Sequence, residues 1–116
     1  MDQKLFTSYN MKTYYFAIAS QDFLLKEEPV EEVLRERINH YKSIKKIIDF
    51  WLVLNPSFIH APEMIHVKNQ LTKPSVAILS YNPKFIEWIK LRFGFVLTGQ
   101  FNLPSEHILD ALQSDE

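Results

Sequence analysis

The chain has 116 residues, a formal net charge of -1 and no cysteine. That length supports one domain around a single hydrophobic core, and the near-neutral charge leaves no electrostatic footprint for nucleic acid. Without cysteine there is no disulfide, iron–sulfur cluster, thiolate zinc site or cysteine nucleophile.

Residues 1–10 lack a secretory apolar core and are too short for a plastid transit peptide; they read as an N-terminal extension or a misassigned start, because Met11 opens the patterned region. Residues 11–110 read as a single domain and 111–116 as a C-terminal tail. Aromatic, β-branched and small residues over 13–20 predict a strand. Residues 21–28 read as a connection or short helical turn. A helix follows from Pro29, with Val30, Val33, Leu34, Ile38 and Tyr41 at three- and four-residue steps and acidic residues leading basic ones, as the helix dipole favours.

After a basic connection at 42–46, the run Ile47-Ile48-Asp49-Phe50-Trp51-Leu52-Val53-Leu54 reads as a strand covered on both faces. Asn55-Pro56 ends it. Pro62 opens a short helix to about residue 69, residues 75–80 form another compact strand, Asn82-Pro83 caps a helix over 82–93, and 95–101 is the last strand. The order β-α-β-(α)-β-α-β predicts an α+β fold: a single open sheet of about four strands, mainly antiparallel or mixed, covered by helices. A ferredoxin-like topology is one arrangement that fits, and strand order is not readable. No uninterrupted apolar run approaches the roughly 20 residues that span a bilayer, so a soluble protein is expected.

Two charges break apolar patterns. Asp49 is the carboxylate within its strand, and it needs a cation, backbone donors or a place at the strand's wet end. On the 82–93 helix, Phe85, Trp88, Ile89 and Phe93 share a face, and Arg92 falls near its middle. Arg92 and Asp49 are therefore a candidate pair, which either staples helix to sheet or lines a cleft.

Catalytic chemistry is poorly represented. The histidines are His40, His60, His66 and His107, and no ligand signature joins them, so no metal is expected. Glu63-Met64-Ile65-His66 has the spacing of a di-iron carboxylate motif, but it occurs once. Ser20, Ser57 and Ser80 lack a nucleophile-elbow context, and Gly94 and Gly99, the only glycines, cannot form a phosphate-cradling loop. The acidic stretch 27–32 and the lysines of 42–46 read first as solvated surface. Nine Phe, five Tyr and two Trp are more telling, because aromatic anchors with arginine favour protein interfaces. Phe50 and Trp51 point to opposite faces of one strand, so both cannot pack under the same helix.

The segments Ile48-Asp49-Phe50-Trp51-Leu52-Val53, Phe58-Ile59-His60-Ala61-Pro62-Glu63 and Trp88-Ile89-Lys90-Leu91-Arg92-Phe93 with Phe95-Val96-Leu97-Thr98-Gly99 resemble one family in order and spacing. It is the small accessory protein of the aerobic magnesium-protoporphyrin IX monomethyl ester oxidative cyclase, which closes the fifth ring of chlorophyll. The resemblance runs from residue 11 to about 110. It implies a non-catalytic accessory or assembly subunit that binds the membrane-associated di-iron catalytic subunit, with other chlorophyll-biosynthesis enzymes as further partners. It implies no cofactor or metal of the chain's own. The expected location is the plastid stroma or cyanobacterial cytoplasm, peripheral to the thylakoid through the partner. Family residues linked to cyclase binding fall on Asp49, Phe50 and Arg92, and Trp51 joins them as the neighbouring partner-binding aromatic. Ile47, Phe93-Gly94 and Gln100 depart from the common pattern, which bears on the charge of the docking surface. The alternative reading is a tetrapyrrole-binding carrier, with Arg92 on a propionate and a histidine on magnesium. A small enzyme is the third.

Overall fold

The computed structural model describes residues 11–115, so the extension assigned to residues 1–10 lies outside the described residues. Four strands, β1 (Lys12–Ser20), β2 (Phe50–Leu54), β3 (Ser75–Ser80) and β4 (Leu97–Leu103), form one sheet in the order β2-β3-β1-β4. Every neighbouring pair is antiparallel. Three α-helices accompany them: α1 (Val30–Ser43), α2 (Ile65–Lys68) and α3 (Pro83–Phe93). With α1 between β1 and β2 and α3 between β3 and β4, this is the ferredoxin-like arrangement.

Burial follows strand position. All six residues of central β3 are buried, whereas β2 and β4 are edges with mixed exposure. The period-two alternation of side chains sorts the core into two layers. On one face Ala17, Ala19, Val76, Ile78 and Phe50 pack under Leu34 and Tyr41 of α1 and Phe85, Ile86 and Ile89 of α3. On the other, Phe16, Ile18 and Leu79 are covered by Phe58, Ile59 and Met64 from the β2–β3 connection and by Ile108 and Ala111. Ala111 is buried and the more exposed residues after it are tied to the β2–β3 connection: Ser57 N donates to Gln113 O, and Asp115 N to Asn55 O at 2.7 Å.

Local chemistry accounts for the helix that matters most. Asn82 caps α3 by accepting from Lys84 N, and Pro83 occupies the first turn. Gly94 ends it at φ 78°, a left-handed value that glycine adopts without steric cost. The Lys90 ammonium then donates to Gly94 O and Val96 O, covering carbonyls at the helix end. This turn carries Phe95 into solvent, so the last strand begins at Leu97 rather than 95.

Two further expectations change. The apolar run 47–54 is not a strand throughout: β2 starts at Phe50, and Ile47 is 87% exposed, because the segment before an edge strand has no neighbour to cover it. On α3 the buried residues are Phe85, Ile86, Ile89 and Phe93. Ile86 replaces Trp88 on the inner face, which rotates Arg92 off the middle of the apolar stripe and out to an exposed flank.

Gly99 of β4 lies opposite Phe16, and a Cβ there would approach Phe16 Cζ to 2.6 Å. That ring is fully buried and wedged between Phe58 and Phe101, so it cannot swing away. Gly99→Ala should cost about 1–3 kcal/mol, the usual penalty of overpacking. Urea unfolding measures it, and an unchanged midpoint would show that Phe16 yields.

Candidate docking surface

The corner where β2 begins and β3 ends gathers the residues singled out in the sequence. Asp49 sits immediately before β2, at the wet end of the strand, with its side chain 23% exposed. Its carbonyl oxygen accepts from Ser80 Oγ at 3.0 Å and from Tyr81 N at 3.1 Å. The fully buried Ser80 hydroxyl also accepts from Asn82 N, so it ties Asp49 to the α3 cap. The Asp49 carboxylate accepts the Tyr41 hydroxyl proton at 2.9 Å, with Lys46 Nζ 4.0 Å from its other oxygen. Asp49 is therefore met by a neutral donor from α1 and a loosely placed lysine.

Arg92 is not its partner. Among the described residues no ion pair joins the two. The reason is geometric: α3 starts beside Asp49 and runs away from it, placing Arg92 about 14 Å further along the helix axis. Arg92 is exposed in the last turn, its guanidinium 5.3 Å from the Phe93 ring centroid.

Phe50 and Trp51 do face opposite ways. Phe50 is 3% exposed, its ring 4.9 Å from Phe85 and 5.3 Å from Tyr41. Trp51, partly buried on the other face, stands edge-on to Tyr81 at 5.1 Å and tilted to Tyr14 at 6.2 Å. Tyr14 stacks on Phe101 at 5.6 Å, and Lys12 Nζ lies 5.4 Å above the Tyr81 ring. One corner thus carries an aromatic cluster on each face.

The Tyr14 hydroxyl is 3.1 Å from that of Tyr81. Burial, with the Tyr81 hydroxyl adding to it, pushes the Tyr14 pKa from 10.0 to about 12. A raised folded-state value means that the contribution is complete below pH 10 and is lost as pH rises towards 12. Absorbance titration of the phenolates should therefore show a late step near pH 12 that Tyr14→Phe removes. A titration curve identical in that variant would contradict the coupling.

Sequence reasoning missed Arg37. It projects from α1 over the rings of Phe85, Trp88 and Tyr41, with centroid distances of 5.2, 5.5 and 5.8 Å. Its position one turn before Tyr41 was the available signal, since residues four apart share a helix face. Trp88, 39% exposed, stacks on Phe85 at 6.0 Å and leads by one turn to Arg92.

Elsewhere, among the described residues, one polar cluster has the residue types of a reaction centre but not the arrangement. Asp115 accepts from Ser57 Oγ and lies 2.7 Å from His60 Nε2. These three residue types resemble a nucleophilic triad, but here the aspartate lies between serine and histidine, so the imidazole is not placed to take the serine proton. The Ser57 hydrogen bond chiefly holds the Asp115 carboxyl below its usual pKa. Among the described residues no group of three His, Asp or Glu could hold a metal ion, and no helix is long and apolar enough to cross a membrane.

The class is a small ferredoxin-like α+β domain whose distinctive surface is an aromatic corner edged with cations. The chain belongs to the Ycf54 family, whose sequence pattern, that of the Ycf54 protein, matches residues 12–103. Thus the recognition drawn from its motifs holds at the level of the family. It is 62% identical over 91 residues to ycf54 of Pyropia yezoensis, covering 78% of this chain and 82% of that one. It is 34% identical over 93 residues to the chloroplastic YCF54 protein of Arabidopsis thaliana, covering 79% of this chain and 43% of the other. The solved structure of the Ycf54 protein from Synechocystis sp. PCC6803 superposes with a TM-score of 0.87 at 51% identity, covering 91% of this chain and 99% of that one. Homologues are thus cyanobacterial or chloroplastic.

Proposed function

We propose that this protein is a non-catalytic accessory subunit of the aerobic magnesium-protoporphyrin IX monomethyl ester cyclase, and that it binds the di-iron catalytic subunit through the Asp49 corner. The observation that carries the reading is the placement of Asp49: a partly exposed carboxylate that accepts from Tyr41, on a backbone whose carbonyl is held by Ser80 and Tyr81, between two aromatic clusters. Such an arrangement presents a rigid charged group beside amphipathic rings, which is what a protein interface uses. In this reading Asp49, Trp51 and Arg92 touch the partner, and Phe50 supports them from beneath. The protein works in the plastid stroma or cyanobacterial cytoplasm and reaches the thylakoid through that partner.

The test is co-purification of the catalytic subunit with this chain from cells making both. Retention by wild type and loss with Asp49→Ala would support the reading. No retention by a folded wild-type protein would overturn it. A saturable shift in protoporphyrin absorbance on titration would favour the carrier reading instead.

A further inference from the structure

Arg37 is a cation set over three aromatic rings and, among the described residues, paired with no carboxylate. A guanidinium carries five N–H donors and no acceptor. The guanidinium carbon lies over the rings of Phe85, Trp88 and Tyr41, contacts that attract the charge but satisfy none of those donors. Nε is buried with no hydrogen-bond partner. The Nη groups are not closed off in this way, and among the described residues no carboxylate lies within 4 Å of any of them. A planar fork set among aromatic rings, with its terminal donors unpaired among the described residues, is poised to take an acceptor from outside.

The setting fixes the sign of what it takes. Along the outer flank of α3, Lys84, Trp88 and Arg92 follow one another at four-residue steps, so a cation sits one turn on either side of the tryptophan that Arg37 covers. Lys46 Nζ lies 4.6 Å from the Tyr41 ring centroid at the same end of the seam. The Asp49 carboxylate, which accepts from the Tyr41 hydroxyl, is already engaged by that group and by Lys46. The seam between α1 and α3 is thus cationic around an exposed indole.

On these grounds we infer that Arg37 is the anion-receiving residue of the docking surface, taking a carboxylate from an acidic segment of the partner protein end-on, through its two Nη groups. Burial of Nε closes the side-on geometry that would use Nε and one Nη, so the pairing is restricted to the fork's tip. The inference deepens the proposed function and rests on it for the identity of the partner. Trp88 supplies the apolar wall beside the ion pair, and Arg92 extends the same strip by one turn.

The test uses the full chain labelled with 15N and two ligands. The Nε–H cross-peak of Arg37 is identified by its absence from Arg37→Gln, then followed during titration with a hexaglutamate peptide. The expected result is a saturable shift that hexalysine does not produce, with affinity, read in both proteins from the indole N–H cross-peak of the neighbouring Trp88, at least tenfold weaker in Arg37→Lys, which keeps the charge but not the fork. An unmoved cross-peak, or full affinity in Arg37→Lys, overturns the inference. In parallel, capture of the di-iron catalytic subunit should fall at least tenfold in Arg37→Gln at an unchanged melting temperature, and stay within twofold in Arg35→Gln, an exposed arginine of α1 placed away from these rings. Equal capture by Arg37→Gln leaves the proposed function standing and removes Arg37 from it. Failure of the wild type to capture the catalytic subunit removes the proposed function, and the peptide titration then decides the inference alone.

Discussion

Phe50→Ala should lower the stability of the domain by about 3–5 kcal/mol and abolish association with the catalytic subunit as a consequence. The ring is 3% exposed and lies between Tyr41 and Phe85, so alanine leaves a cavity between the edge strand and both long helices. A small domain has only about 5–15 kcal/mol to lose, so much of that margin would go. The loss also reaches the surface, because Tyr41 orients the Asp49 carboxylate and Phe85 supports Trp88. Urea unfolding at constant m-value measures the effect. Phe50→Leu is the companion: it keeps most of the buried volume, should cost less than about 1.5 kcal/mol, and should retain binding. A Phe50→Ala protein that unfolds like wild type would contradict the core placement. A stable Phe50→Leu protein that no longer binds would mean that the ring itself crosses the interface.

Arg92→Ala should do the opposite, leaving the fold nearly intact while weakening association by about 2 kcal/mol or more, roughly thirtyfold. Arg92 is exposed and, among the described residues, joins no ion pair; its stabilising contribution is the favourable charge at the α3 C-terminus, about 0.3–1 kcal/mol. The magnitude expected for binding is that of a hot-spot arginine desolvated by a partner, which surface exposure in the free protein permits. Calorimetric titration against the catalytic subunit, with thermal unfolding alongside, separates the two effects. Unchanged affinity would confine the docking surface to the Asp49 corner and exclude the last turn of α3.

Period and composition alone determined the α+β class, the succession of strands and helices, and the opposite orientations of Phe50 and Trp51. All of these depend on neighbours within a few residues. The N-terminal cap of α3 was equally legible, since Asn82-Pro83 acts on adjacent backbone groups. Strand order, the exposed rim holding Arg92, and the pairing of Asp49 with Tyr41 were decided only by the tertiary structure. Helical spacing says which residues share a face, but a helix can roll about its axis, and whether Trp88 or Ile86 turns inward depends on the space left by Phe50, Tyr41 and β1. That same roll brings Arg37 of α1 over Trp88 of α3, a contact between residues 51 positions apart that no local pattern contains.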